Sequence, residues 1–163
     1  MHLIQKPAQY LALHSEEQKA KWDFAKQILR LDKNDLLLDI GSGPKAWWQD
    51  WHKNTLALDP FFKPPGKKRV RAQAQYLPFK SKSVDHSVAI TSLHLAGPLS
   101  LALAEIARVT KKSCLISMMS RSLDIQPVIK NTFNIVNISK CNQDTFYLLT
   151  PKDEPPVHKD NFL

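Results

Sequence analysis

The spacing of apolar and polar residues along the chain predicts four helices. In residues 15–31 an apolar stripe that includes Trp22 and Leu29 recurs every three or four positions, which is typical of an amphipathic helix. Ser15 with Gln18 three residues later resembles a capping box, so the pattern predicts that this helix begins at Ser15. The other helices are predicted at 45–53, 98–109 and 124–132, the last capped by Asp124.

Short apolar segments between these helices predict seven strands. Residues 36–40 are apolar apart from one aspartate and show no alternation, which is typical of a strand buried on both faces of a parallel sheet. The remaining strands are predicted at 55–59, 69–73, 84–91, 113–119, 133–139 and 145–150.

The order of these elements predicts an α/β fold with a mostly parallel sheet. The last two strands are joined by a short polar turn, whereas a parallel crossover needs roughly a dozen residues, so we expect them to pair antiparallel. We therefore predict one doubly wound, seven-stranded domain of Rossmann type over residues 1–150, followed by a loose tail at 151–163.

Composition excludes several classes of protein. The 163 residues contain no apolar run of the roughly 18 that a membrane span needs, and the N-terminal residues do not resemble a signal peptide. Two cysteines, Cys114 and Cys141, are too few for a disulfide framework, and no Cys/His spacing indicates a zinc site. We expect a cytoplasmic protein that binds no membrane and no metal.

A glycine-rich loop after the first predicted strand is the main candidate for chemistry. Gly41-Ser42-Gly43 allows the backbone to turn sharply and to approach a ligand closely. Asp59 ends the second predicted strand, 18 residues after Gly41, where a carboxylate can accept bonds from both hydroxyls of a ribose. Because ligands of doubly wound sheets bind beyond the carboxyl ends of the strands, these residues predict a nucleoside site.

The same loop also matches the dinucleotide fingerprint, as Gly41-x-Gly43-x-x-Ala46. A nicotinamide-dependent oxidoreductase is therefore an alternative. Asp39 argues against it, because a carboxylate at the entry of the loop would repel a pyrophosphate. A cationic ligand suits it better, and S-adenosylmethionine carries an ammonium, a sulfonium and a ribose.

Further motifs give the chain a family resemblance. Residues 73–79 read Gln-Ala-Gln-Tyr-Leu-Pro-Phe and residues 105–109 read Glu-Ile-Ala-Arg-Val. With the glycine loop and Asp59, their order and spacing over residues 35–119 resemble the class I S-adenosylmethionine-dependent methyltransferases. The type 11 methyltransferase domain is the most similar group, in a compact form whose loop reads Gly-x-Gly-Pro-Lys.

The resemblance implies S-adenosylmethionine as cofactor and assigns roles to individual residues. The loop would face the cofactor, Asp59 would bind its ribose, and Gln73 with Ala74 would flank the adenine. Gln73 departs from the family, which usually has aspartate there, but its amide still accepts a hydrogen bond from the adenine amine. The predicted cofactor-binding residues are Asp39, Gly41, Ser42, Gly43, Asp59, Gln73, Ala74 and Thr91.

Other conspicuous residues have two interpretations each. His94 follows the fourth predicted strand, near where the family places the transferred methyl, so it is either a general base or a structural histidine. Three tryptophans, Trp47, Trp48 and Trp51, are expected to pack in the core rather than to form a substrate wall.

The net charge of +8 arises largely between Asp59 and Asp85, where there is no acidic residue. In the family topology the third strand is a sheet edge, where lysines prevent edge-to-edge pairing. Basic residues flanked by Phe61, Phe62 and Tyr76 would equally suit RNA or another anionic acceptor. The candidates for that contact are Lys63, Lys67, Lys68, Arg69 and Arg71.

The sequence therefore predicts methyl transfer from S-adenosylmethionine to a nitrogen or oxygen nucleophile. No inserted substrate domain is recognisable, which favours a macromolecular acceptor or a partner protein that completes the site. The alternative is a methyltransferase-like subunit that binds ligand or partner without turnover.

Overall fold

The computed structural model describes residues 6–62, 68–121 and 124–153. Within them lie three α-helices, seven strands and a short 3-10 helix at Leu93–Leu95. The helices are α1 (Pro7–Ile28), α2 (Leu99–Val109) and α3 (Gln126–Thr132). The strands are β1 (Leu37–Ile40), β2 (Thr55–Leu58), β3 (Arg69–Val70), β4 (Val84–Ile90), β5 (Thr110–Met119), β6 (Phe133–Cys141) and β7 (Asp144–Pro151).

All seven strands form one sheet in the order β3-β2-β1-β4-β5-β7-β6. The pairs from β3 to β5 are parallel, and β7 lies antiparallel between β5 and β6. The predicted seven-stranded Rossmann-like sheet with an antiparallel C-terminal pair is confirmed. The order reverses between β1 and β4, so this is where a doubly wound sheet opens a crevice for a ligand.

Each face of the sheet carries its own core. Leu37 packs with Trp22 and Ala25 of α1 and with Leu29 just after it, whereas the next residue, Leu38, packs on the face that α2 and α3 cover. Successive residues of a strand point to opposite faces, so a run without polar alternation fills both cores. The lack of polar alternation in β1, which is apolar apart from Asp39, follows from this double burial.

The first helix begins eight residues earlier than the sequence predicts. α1 begins at Pro7, and the hydroxyl of Ser15 donates to the carbonyl of Leu11 inside the helix instead of capping its end. Proline is well suited to the first turn of a helix, and most of the residues that follow are good helix formers. The capping-box interpretation of Ser15 and Gln18 is therefore wrong.

Two further segments differ from the predictions. Residues 45–53 form consecutive turns rather than a helix, because Trp48 is buried in the core and the His52 ring is fixed 2.6 Å from the carbonyl oxygen of Asp35. The third strand has only two residues, which pair with β2 at one edge of the sheet.

The C-terminal region agrees more closely. Asp124 accepts a hydrogen bond from the N–H of Gln126 at the start of α3, two residues outside the helix. Pro151 is the last residue of β7, and residues 154–163 of the predicted tail lie outside the described residues. In the described part of the chain, none of the helices has the length and apolar character that crossing a membrane requires.

Candidate active site

The carboxyl ends of β1, β2 and β4 surround a cavity of about 190 Å³. The glycine loop, the segment after β2, the segment after β3 and the turn after β4 each contribute to its wall. The structure brings all eight predicted cofactor-binding residues to this cavity: Asp39, Gly41, Ser42, Gly43, Asp59, Gln73, Ala74 and Thr91.

The two loop glycines have positive φ angles, +71° at Gly41 and +66° at Gly43. A Cβ on Gly41 would lie 2.3 Å from the Cβ of Ser92, so Gly41 is required by packing. A Cβ on Gly43 would meet no heavy atom within 4 Å and would project into open space. Gly43 therefore leaves room where a ligand can approach the backbone.

Asp59 connects the ends of β1 and β2. One carboxylate oxygen accepts from the N–H of Gly43 at 2.9 Å, and the other accepts from Phe61 and Phe62 at 2.8 and 2.7 Å. Three backbone donors thus fix the carboxylate in the cavity wall, where 5% of the residue is exposed. Asp59 therefore fixes the loop to the end of β2, and its carboxylate forms part of the cavity wall.

Asp39 is a buried carboxylate that is not fully hydrogen-bonded within the described part of the chain. It is 1% exposed, and its Oδ2 has no hydrogen-bond partner. Burial raises the pKa of Asp39 to about 8, the nearby Asp59 adds to the rise, and the Trp48 indole, which lies beside it without a well-formed hydrogen bond, opposes it. Ser42 also has an unpartnered, buried hydroxyl in this wall. Such a wall fits a ligand that brings a positive charge and hydrogen-bonding groups.

The segment after β3 is held in place by α2. The N–H of Leu77 donates to Glu105 at 2.9 Å, and Arg108 donates to the carbonyls of Leu77 and Phe79 at 3.0 and 2.8 Å. This explains why the Leu-Pro-Phe and Glu-Ile-Ala-Arg-Val motifs occur together. Their contacts fix the segment whose preceding residues, Gln73 and Ala74, line the cavity.

Residues of α1 complete the cavity, although no sequence motif predicts this. Tyr10, Gln18 and Trp22 all line it. Gln18 is 9% exposed, and Trp22 also packs in the core. The signal that the sequence offers is Gln18, a polar residue on the apolar side of the helix. It indicates a site only once the helix is placed over the sheet.

The three tryptophans divide between core and cavity. Trp48 is 7% exposed and belongs to the core, and Trp51 is partly buried against the same cluster. Trp47 also packs against that cluster but lines the cavity, with the Lys45 ammonium 4.0 Å from its ring centroid. Core packing, the predicted role, therefore accounts for all three, and Trp47 has a second role.

A second cavity of about 810 Å³ adjoins the first. It lies between α1, the turn after β4 and the β6–β7 turn, and both cavities are lined by Tyr10, Gln18, Thr91 and Leu95. His94 is exposed and lines this second cavity, not the first. Its role as a general base stays a prediction.

The basic candidates lie at the β3 edge of the sheet. Lys68, Arg69 and Arg71 are exposed, whereas Lys63 and Lys67 lie outside the described residues. Lys68 donates to Asn54 at 2.8 Å, and Arg71 donates to the Pro60 carbonyl at 3.2 Å. Phe61, Phe62 and Gln73 of the first cavity flank this segment, so the basic residues border the cavity on the β3 side.

Comparison with known proteins identifies the family. Residues 38–118, about half of the chain, match the family model of a methyltransferase domain. No curated protein matches the sequence.

Several solved structures share the fold. One is a complex between the Haloferax volcanii Trm112 methyltransferase activator and a methyltransferase, with a TM-score of 0.73 at 13% identity over 90% of this chain and 96% of that chain. An S-adenosylmethionine-dependent methyltransferase from Aquifex aeolicus has a TM-score of 0.68 at 12% identity, over 89% and 98%. Another from Thermotoga maritima has a TM-score of 0.65 at 13% identity, over 89% and 94%. At these identities the likeness concerns the fold.

Proposed function

The chain belongs to the class I S-adenosylmethionine-dependent methyltransferases, and on that premise we propose that it transfers a methyl group to a nitrogen or oxygen nucleophile. The observation that carries the proposal is the buried, unpartnered Asp39 carboxylate beside a loop whose Gly43 faces open space. A dinucleotide would bring negative charge to this point, whereas S-adenosylmethionine brings an ammonium. The oxidoreductase alternative is therefore disfavoured.

The residues of the first cavity divide the cofactor between them. Asp39 takes the ammonium, Asp59 the ribose, and Gln73 with Ala74 the adenine, while Trp22 and Gln18 of α1 close the far side. When bound, the cofactor supplies a methyl group already activated by its sulfonium. The protein's task is then to align the nucleophile with that methyl and to exclude water, which is catalysis largely by positioning.

The second cavity is the place for the acceptor. The two cavities share Thr91 and Leu95, in the segment that follows β4. An acceptor bound in the second cavity would therefore lie beside a cofactor bound in the first. His94 in its wall is the candidate to accept the proton that the nucleophile loses. The acceptor itself is a nitrogen or oxygen nucleophile of open identity.

RNA or another polyanion is the acceptor that the basic segment favours. However, β3 and β4 are three strand spacings apart, or about 14 Å at ~4.8 Å per strand. Only an extended acceptor would touch both the basic edge and the second cavity. A small acceptor would use the second cavity alone and would not depend on the basic residues.

A protein partner is the second component that we propose. The Haloferax methyltransferase in the similar complex is bound to an activator protein. In this chain Phe61 and Leu95, both in the wall of the first cavity, are 54% and 58% exposed. A partner covering these side chains would bury apolar surface and would narrow the mouth of the site. Native mass spectrometry of the protein from its source would detect such a complex as a mass above 18.6 kDa.

Calorimetric titration tests cofactor binding. We expect S-adenosylhomocysteine to bind and NAD not to bind under the same conditions. Asp59→Asn should weaken binding about tenfold or more, since charge-assisted bonds to hydroxyls contribute about 1.5–3 kcal/mol. Asp50→Asn, at an exposed position in the turns after the loop, is the control and should bind as the wild type does. NAD binding tighter than S-adenosylhomocysteine would overturn the assignment.

Turnover separates the enzyme from the inactive subunit. The protein, with methyl-labelled S-adenosylmethionine, is incubated with cell extract divided into RNA, protein and small-molecule fractions. Label in one fraction that is absent with Asp59→Asn identifies the class of acceptor. Tight cofactor binding with no label in any fraction, with and without the copurifying partner, would favour the subunit without turnover.

A further inference from the structure

Lys21 is a lysine of α1 whose charge is buried inside the fold. It is 1% exposed, and its Nζ lies 2.6 Å from Glu17 Oε1 and 3.1 Å from Asp144 Oδ1. The same Nζ donates to the Thr91 hydroxyl at 3.0 Å. Lysine is almost never fully buried unless it is paired, so this arrangement calls for a reason.

Thr91 is a strained residue at the point where Lys21 ends. It directly follows β4 and has a φ of +49°, a region that β-branched residues rarely occupy. Its hydroxyl donates to Asp144 Oδ2 at 2.5 Å, and its N–H donates to the Ser117 hydroxyl at 2.9 Å. Ser117 in turn donates to the same Asp144 oxygen at 2.9 Å. Three elements, α1, β5 and β7, thus hold one backbone angle in place.

Stability alone is a poor explanation for this network. Asp144 is fully buried, and taking both it and Lys21 out of water costs more than an average ion pair returns. One Asp144 oxygen, Oδ1, faces Lys21 without a well-formed hydrogen bond. A network with this cost, arranged around a strained residue, is typical of a functional site.

The position of the network indicates what that function is. Thr91 lines both cavities, and Lys21 lines the second. The turn that Thr91 begins continues into Leu93–Leu95, whose Leu95 forms part of the wall common to both cavities. If Thr91 relaxed to an ordinary φ, this wall would move.

We propose that Lys21 and Asp144 are positioning residues, which hold Thr91 in its left-handed conformation and so fix the wall between the two cavities. The inference rests on the proposed function, because it takes the first cavity as the cofactor site. Asp144 lines neither cavity and Lys21 lines only the second, so the pair acts on the cofactor cavity through Thr91. Its effect should therefore appear in ligand affinity even when the fold is intact.

The test compares S-adenosylhomocysteine affinity, measured by calorimetry, in four variants. Lys21→Met with Asp144→Asn removes both charges together, so neither is left buried alone; we expect the dissociation constant to rise at least tenfold while circular dichroism stays that of the wild type. Lys19→Met with Asp23→Asn removes an exposed ion pair of the same helix and should change nothing. Affinity of the buried double variant within twofold of the wild type would overturn the proposal.

Two conservative variants keep the test decisive if that double variant does not fold. Thr91→Ala removes the hydroxyl that Lys21 and Asp144 contact and should also raise the dissociation constant at least tenfold. Thr91→Ser keeps that hydroxyl and should recover most of the affinity that Thr91→Ala loses, which a role in packing alone would not do. Equal affinity of the alanine and serine variants would contradict the proposal. If the wild type itself fails to bind, the proposed function fails instead.

Discussion

Two aspartates at opposite ends of β1 are driven in opposite directions by their surroundings. Asp39 is buried without a partner, and burial raises its pKa to about 8. Asp35 is also buried, which by itself would raise its pKa, but Lys112, the Asp32 N–H and the His86 ring contact its carboxylate and lower the pKa to about 2. The buried Asp39 carboxyl group has an oxygen without a hydrogen-bond partner, whereas both oxygens of the Asp35 carboxylate have partners. This contrast separates the functional end of the sheet from the structural end.

The raised pKa of Asp39 predicts proton release on cofactor binding. At pH 7 a group with a pKa near 8 is mostly protonated, and an ammonium beside it favours the charged form. Affinity for S-adenosylhomocysteine should therefore rise between pH 6 and 8 and level off above 8. Calorimetry at pH 7 in buffers of different ionisation enthalpy should give a release of about one proton. Asp39→Asn should bind more weakly and release none; an unchanged proton count would contradict this.

The two aspartates also predict opposite effects on stability. Between about pH 4 and 8 the folded state keeps the Asp39 proton that the unfolded state releases. The free energy of unfolding therefore falls as pH rises through that range. Asp39→Asn should therefore raise Tm at pH 7, by ~2–4 °C for each kcal/mol recovered. Asp35 contributes stability above its unfolded pKa of about 3.9, and this is lost as pH falls through about 2.

Asp35→Asn should accordingly lower Tm at pH 7, and its difference from the wild type should shrink below pH 3. Thermal unfolding of both variants from pH 2.5 to 8 measures the two effects side by side. If the Tm of each variant differed from that of the wild type by a constant amount across this pH range, neither carboxylate would titrate as its surroundings indicate.

At the scale of elements, the loop after β1 is specified by two glycines for different reasons. Both positions require positive φ, so alanine at either one costs about 1–2 kcal/mol of strain. Only Gly41 is also packed against another segment, where the Ser92 hydroxyl donates to the Ile40 carbonyl at 2.7 Å and cannot easily move. The surroundings of each glycine thus decide its role: Gly41 is required for packing, whereas Gly43 leaves open space at the cavity.

We expect Gly41→Ala to lower Tm clearly more than Gly43→Ala does. Ser92→Gly in the Gly41→Ala background should recover part of that loss, because it removes the atom 2.3 Å from the new Cβ. Gly43→Ala should lose affinity for S-adenosylhomocysteine and should lower Tm only by the few degrees that the left-handed strain accounts for, since its Cβ would enter open space at the cavity. Thermal unfolding and calorimetry provide both readouts. Wild-type affinity in Gly43→Ala would indicate an ordinary turn residue.

At the scale of the whole molecule, the stretch of sequence between Asp59 and Asp85 that lacks acidic residues brings three exposed and described basic residues, Lys68, Arg69 and Arg71, to one edge of the sheet. If single-stranded RNA binds there, each phosphate contact should contribute about −0.7 to the slope of log affinity against log salt. Three or four contacts predict a slope of about −2 to −3. Replacing Lys68, Arg69 and Arg71 with glutamine should flatten that slope and weaken binding uniformly across sequences, as fluorescence anisotropy at several salt concentrations would show.

The control replaces Lys130, Lys140 and Lys152, near the opposite edge of the sheet, and should leave RNA affinity almost unchanged. If instead the edge-protection hypothesis holds, RNA binding is weak in the wild type, and the variant without the three β3 charges aggregates. Methyl transfer unaffected by the loss of these charges would remove RNA from the possible acceptors.

The sequence by itself determined the sheet and the part of the site that lies at the ends of β1 and β2. Double burial leaves β1 without polar alternation. The Asp39–Gly43 segment and Asp59 are local features that fall at strand ends, so the parallel sheet brings them together. A local capping pattern misplaced the start of α1, which begins at Pro7. Local propensity also predicted a helix at 45–53, where the burial of Trp48 and the contact of the His52 ring with the Asp35 carbonyl depend on residues distant in the sequence.

Only the tertiary structure decided the rest. Tyr10, Gln18 and Trp22 reach the cavity because α1 packs across the sheet, and no spacing within the helix specifies that placement. Lys21, Thr91 and Asp144 are 70 and 53 residues apart in successive steps along the chain, so their network exists only after folding. Charge burial, strain and pKa depend on neighbours in space, whereas periodicity and turn chemistry depend on neighbours in sequence, and the site required both.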